Sequence, residues 1–277
     1  MSSVVILGAG RLGAGIAQRL AERGRVGAIA LVDGHVNGAA GKALDIRQSA
    51  PVSPFDTIVT AAGDALAAAG ASVVVVADEI ERGEWDGERA LGMLGHLVLA
   101  GVTAPLVFTG AKALWLMERC HGELKIPANR LIGTAASAMA SMIRGAAGLE
   151  LGLSAVDAAV VGRPPGLVVG WSAASAHGAL LTDRIPAHRL LALSDQLHKL
   201  WPPGPYAVAS ATAPIVEALI SGSRRLHSAV TVLDGELGAR GRAVLLPLDI
   251  AHGRVRSHVM PSLSPQERTD LLSSLAE

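Results

Sequence analysis

Three glycines, in the run Gly8-Ala9-Gly10-Arg11-Leu12-Gly13, carry the spacing most suited to chemistry in this 277-residue chain. Gly8 permits a tight turn, Gly10 lets a pyrophosphate approach the backbone, and Gly13 lets a helix sit close to a sheet. Leu12 falls in the first helical turn, whose free amides and positive dipole end would face the phosphates. Arg11 either reaches a phosphate or is solvated at the helix start. Asp33 stands twenty residues past Gly13 at the end of an apolar run. There a carboxylate accepts hydrogen bonds from an adenosine ribose and disfavours a 2′-phosphate. The pattern points to a dinucleotide, NAD rather than NADP. The alternative is a glycine turn kept for packing in a fold that no longer binds.

Other chemistries find little support. Cys120 stands alone, which excludes an intramolecular disulfide framework and a cysteine-based zinc site. His188, His198, His227, His252 and His258 lack ligand spacing with acids, so no metal is expected. Serines, histidines and aspartates occur without a GxSxG nucleophile elbow.

The elements that must position the glycine loop are legible as alternating patterns. Apolar runs at 4–7, 29–32, 57–60, 73–76, 106–108 and 131–132 are mostly continuous, as in strands covered on both faces. Between them lie helical spacings such as Leu12, Ile16 and Leu20. Strand–helix alternation predicts a doubly wound parallel α/β sheet over residues 1–133. From 134 to 277 the texture is α+β: Ala-rich helices near 137–149, 187–200 and 206–221, then antiparallel strands at 230–233, 243–248 and 254–259 joined by tight turns such as Asp234-Gly235. Pro202-Pro203-Gly204-Pro205 reads as an inter-helix loop. Ser264, Pro265 and Glu267 supply a capping box for a last short helix.

With 24 Lys+Arg against 24 Asp+Glu, the formal net charge is zero, which removes the electrostatic case for nucleic acid or an anionic membrane. The nearly uncharged stretch 97–117 has the length of a membrane span, but Gly101, Pro105, Gly110 and Lys112 divide it into a buried strand flanked by helices. No basic segment precedes the first strand and no cleavage pattern follows it, so a cytoplasmic location is expected.

Along nearly its whole length the chain resembles the lactate/malate dehydrogenases. The glycine loop and Asp33 match, as do Gly41-Lys42-Ala43-Leu44-Asp45 and Arg130-Leu131-Ile132-Gly133. Further on, Ile215-Val216-Glu217-Ala218-Leu219-Ile220 and Leu233-Asp234-Gly235-Glu236-Leu237-Gly238 are similar to the family's last helix and hairpins. The resemblance implies a Rossmann half followed by a catalytic α+β half, NAD as cofactor, and a homodimer or homotetramer.

It also implies a set of catalytic side chains, and these are missing. Family chemistry moves hydride between nicotinamide and a 2-keto or 2-hydroxy acid. It needs a histidine acid/base, an aspartate orienting it, an arginine forked onto the substrate carboxylate, and a loop arginine that polarises the carbonyl. Pro164 stands where the histidine is expected, ahead of Trp171-Ser172, and Met139 and Met142 hold the aspartate and arginine positions. Arg144 matches a second family arginine. The bridging Asn-Pro appears as Gly110-Ala111. Arg82 is either a shifted carbonyl-polarising residue or a solvated loop charge. His177, Asp157 and Arg163 offer substitute polar groups, their bland readings being a helix histidine, an acid at a strand start and a loop-tip arginine. His35 either touches the adenosine edge or lies on the surface, and Met139 and Met142 read as core.

Three functions remain in view: an NAD-binding relative with a degenerate 2-hydroxy-acid site, inactive on lactate and malate; an active NAD-dependent oxidoreductase on a substrate that is not a 2-keto acid; and a structural subunit with an empty cleft.

Overall fold

The continuous apolar runs of the first half form parallel strands buried on both faces. The computed structural model describes residues 2–276. Its amino-terminal elements are β1 (Ser3–Leu7), α1 (Arg11–Arg23), β2 (Ala28–Val32), α2 (Val36–Ser49), β3 (Ile58–Ala62) and β4 (Val73–Val76). A small hairpin of β5 (Asp78–Glu79) and β6 (Gly83–Glu84) follows, then α3 (Gly87–Leu99), β7 (Leu106–Phe108), α4 (Ala113–Gly122) and β8 (Leu131–Gly133). The six parallel strands lie in the order β3-β2-β1-β4-β7-β8, so the winding reverses between β1 and β4. In such sheets the ligand crevice opens at the carboxyl ends of the strands flanking that reversal.

Side chains alternate across β1. Val4 and Ile6 join a core with Ile16, Leu20 and Val216, while Val5 and Leu7 join another with Leu94, Phe108 and Leu116. The predicted stripe of α1, Leu12, Ile16 and Leu20, is buried. Each such aliphatic side chain contributes about 1.5–3 kcal/mol when removed from water. The 97–117 stretch resolves into the end of α3, β7 and the first half of α4. Among the described residues no helix is long and apolar enough to cross a membrane.

The second half contains α5 (Ala135–Leu151), β9 (Asp157–Arg163), β10 (Gly166–Ala176), β11 (Ala179–Leu180), α6 (Ala187–Lys199) and α7 (Pro205–Ser221). It ends with β12 (His227–Asp234), β13 (Arg240–Ala251), β14 (Arg254–His258) and α8 (Pro265–Ala276). β12 pairs antiparallel with β8, Val230 opposite Gly133, so a single sheet runs from one half into the other. The proline-rich segment at 202–205 does connect α6 to α7. At the start of α8 the capping box forms: Ser264 N donates to Glu267 at 2.7 Å and Glu267 N to Ser264 Oγ at 3.3 Å.

Two local expectations are corrected. His177 is no helix residue: it sits exposed at φ +52° between β10 and β11, strands whose Ala, Gly and Ser content hides them from propensity. The Asp234-Gly235 connection is longer than a tight turn, because a 3-10 turn at Glu236–Gly238 precedes β13.

Candidate functional site

The glycine loop leaves β1 and enters α1 at the winding reversal, and each of its glycines is required sterically. Gly8 sits at φ +103°, and a Cβ there would lie 2.4 Å from the Asp78 carbonyl oxygen. A Cβ on Gly13 would lie 2.0 Å from the Gly8 carbonyl oxygen, so the expected close packing of helix against strand is present. On Gly10 a Cβ would meet Asp78 Oδ2 at 2.3 Å. The space in front of Gly10 is thus filled by the chain's own carboxylate.

Asp78, the second residue after β4, turns back to the start of α1. Its carboxylate accepts from Gly13 N at 2.8 Å and Leu12 N at 3.2 Å, and its carbonyl accepts from Gly10 N at 2.6 Å. These helix amides are the donors an anion seeks at such a terminus. Asp33, at 4% exposure, accepts through Oδ2 from Ala9 N and Ile80 N and through Oδ1 from His35 N. A carboxylate takes about four donors, so capacity for roughly one remains. His35 caps α2, with Gly38 N donating to Nδ1 at 2.9 Å. Lys42 Nζ donates to the Ala9 carbonyl at 2.6 Å, holding a cation beside the loop. Arg11 is exposed, its guanidinium 5.3 Å from the Tyr206 ring centroid.

The segment following Asp78 lies along the same crevice. Trp85 Nε1 donates to the Leu7 carbonyl at 3.1 Å, at the carboxyl end of β1. The Glu84 carboxylate accepts from Ala111 N and Lys112 N, each at 3.2 Å, at the start of α4. Lys112 Nζ donates to Asp86 at 2.5 Å. That exposed pair holds the Asp86 carboxyl below and the Lys112 amine above their usual ranges, the mutual hydrogen bond being the main cause. Asp78, Glu84 and Trp85 were not singled out by sequence. The available signal was an acid placed two residues after the strand that borders the switch point.

At the expected catalytic position the surroundings are apolar. Pro164 is buried beside a cavity of roughly 10 Å3, about the room one water needs, whose lining includes Gly110, Met117, Thr134 and Trp201. No acid, base or guanidinium lines it. Its hydroxyl, Thr134 Oγ1, is engaged with Thr212 Oγ1 at 2.7 Å. Met139 is fully buried and Met142 packs against the same core.

None of the candidate substitute groups lines the Pro164 cavity. Arg163 pairs with Glu118 and donates to the Ala243 carbonyl. Arg82 is exposed at the β5–β6 turn and lines an open groove that shares no residue with the Pro164 cavity. Arg144 donates to the Ala158 carbonyl at 2.8 Å and to Ser228 Oγ at 2.7 Å. Burial lowers its pKa. With Asp157 and His227 it lines a separate cavity of about 710 Å3. The His227 imidazole is pushed down to about 4, first by burial and then by Arg225. Burial pushes the Cys120 thiol up to about 12, which leaves it protonated and inert near neutrality. Among the described residues no group of three or more His, Cys, Asp or Glu could hold a metal ion.

The donor set suits a dinucleotide's diphosphate: helix amides, glycines that accept no Cβ, and a carboxylate already standing where an anion would. Residues 2–90 match the lactate/malate dehydrogenase NAD-binding domain. The chain is 28% identical to a malate dehydrogenase of Thermomicrobium roseum, covering 97% of this chain and 93% of that one. It is likewise 28% identical to a malate dehydrogenase of Thioalkalivibrio sulfidiphilus, at 100% and 97% coverage. Its fold is similar to that of a minor L-lactate dehydrogenase from Enterococcus mundtii, with TM-score 0.88, 20% identity, and coverage of 99% and 95%. Malate dehydrogenase from Salinibacter ruber gives TM-score 0.83 at 22% identity, with 99% and 94% covered. Motifs, strand order and these likenesses agree: residues 2–90 match the NAD-binding domain of the lactate/malate dehydrogenases, and the whole chain is similar to malate dehydrogenases in sequence and to that group in fold.

Proposed function

We propose that this protein binds NAD and does not interconvert 2-hydroxy and 2-keto acids. The supporting observation is the Pro164 cavity, which at roughly 10 Å3 has no titratable lining group and is too small for a three-carbon acid. When bound, NAD would supply a hydride acceptor or donor. The chain's part would be to hold it: Gly8, Gly10 and Gly13 by allowing close approach, Leu12 and Gly13 through amides, Arg11 and Lys42 as nearby cations, and Asp33 through its remaining acceptor capacity. A proline cannot exchange a proton, and losing a general acid/base typically lowers rate by about 10²–10⁴. A substrate carboxylate facing Met142 in place of a guanidinium would leave its charge unpaired.

Calorimetric titration with NADH, followed by NADH-oxidation assays on pyruvate, oxaloacetate and uncharged aldehydes or ketones, tests this reading. Saturable NADH binding without turnover of either keto acid is the expected result. Turnover of pyruvate or oxaloacetate at about 1–10³ per second, the ordinary enzymatic range, would overturn it. Turnover confined to uncharged carbonyls would transfer the site to the second function, an oxidoreductase on another substrate class.

A further inference from the structure

We infer that the 78–86 segment is a built-in competitor of the dinucleotide, with the Asp78 carboxylate occupying the seat of the diphosphate. The inference rests on the NAD-binding reading above and deepens it. Gly10, Leu12 and Gly13 all spend their amides on Asp78. A diphosphate at the same place would meet both a steric overlap and a like charge. Glu84 repeats the arrangement at the start of α4, taking the Ala111 and Lys112 amides. Its side chain fills the space before Gly110, where a Cβ would lie 2.7 Å from Glu84 Oε2. Two helix termini along one crevice are therefore capped by carboxylates of a single short segment.

Apart from the buried Glu79, which pairs with Arg89, the segment is held by contacts that can be exchanged. Its exposed pair, Lys112 with Asp86, contributes little in water. Ile80 N and Trp85 Nε1 make single hydrogen bonds to Asp33 and Leu7. Gly83 at φ +71° and Gly87 at φ +61° stand within it and just beyond it, with no neighbour within 4 Å of an added Cβ. The nucleotide enters as the segment leaves, and Asp78 sets the affinity.

Full-length protein and its Asp78→Gly and Asp78→Asn variants are titrated with NADH and with inorganic pyrophosphate, by calorimetry and by thermal shift. Asp78→Gly binds NADH roughly five- to thirty-fold tighter, the equivalent of releasing one charged cap. Pyrophosphate then raises its melting temperature at concentrations that leave the parent unchanged. Asp78→Asn, which keeps an acceptor for the amides, falls between and serves if the glycine variant does not fold. Trypsin cleavage after Arg82 in the parent accelerates when NADH is added. Equal NADH affinity in all three proteins, or protection of Arg82 by NADH, would overturn the competitor while leaving NAD binding intact. No binding of NADH or pyrophosphate by any of the three would overturn both.

Discussion

The two ends of the crevice differ in what their chemistry is made from. At the glycine-loop end the donors are backbone amides and the selectivity is steric: no side chain fits at Gly8, Gly10 or Gly13. At the other end the family's chemistry belongs to side chains, and the proposed reading puts Pro164, Met139 and Met142 at those three positions. A backbone site is protected by the fold itself, because a Cβ on Gly13 would disrupt the packing of α1 whether or not a nucleotide binds. A side-chain site has no such protection, and its positions are readily absorbed into the core. On the proposed reading binding outlasts catalysis, and the fold alone cannot be used to infer the reaction.

The comparison sharpens if the catalytic end is shown to be core. Met139→Asp, which introduces the residue type that the family resemblance implies there, should destabilise the protein by about 4 kcal/mol, because a fully buried position receives a charge without a partner. Urea unfolding midpoints measure it. A neutral effect would mean that the pocket for a carboxylate persists.

Acid sensitivity offers a second break. No histidine lines the Pro164 cavity, so the titrating group sits elsewhere, at His227. Its folded pKa of about 4 lies below its ordinary 6.5. Between these values the unfolded chain binds the extra proton. The contribution is thus complete above pH 6.5 and is lost as the pH falls toward 4, amounting to about 3 kcal/mol. His227→Gln should flatten that limb in a pH series of melting curves. An unchanged limb would assign the sensitivity to the carboxylates instead.

The smallest effect compares two glycines. Gly13→Ala places a methyl group 2.0 Å from the Gly8 carbonyl oxygen and should cost about 2–3 kcal/mol together with NADH binding. Gly145→Ala, inside α5 with open space around it, should stabilise by about 0.5–1 kcal/mol. Equal stabilities of the two variants would contradict the steric account of the loop.

These regions also differed in how legible they were. The strand before the glycine loop, the Leu12, Ile16 and Leu20 stripe and the α8 capping box are local, with each residue's role set by its neighbours. Asp78 reaches back 65 residues to Gly13, and within an acid-rich loop it looks like any solvated charge. Of the hairpin β9–β10, only the strand start at Asp157 was legible, and β10 was missed for a related reason. It pairs locally with β9, but the outer ladder of that hairpin is completed only by β13, about eighty residues downstream at Leu245 opposite Gly162, so tertiary pairing decides what propensity leaves open.

The most direct measurement is an NADH-bound structure of the full chain. Around nicotinamide C4, within about 3.5 Å, the range of a reacting partner, the account predicts apolar side chains, Thr134 at most, and no ionisable group. An imidazole and a guanidinium beside that carbon, supplied by this chain or by a neighbouring subunit, would contradict it.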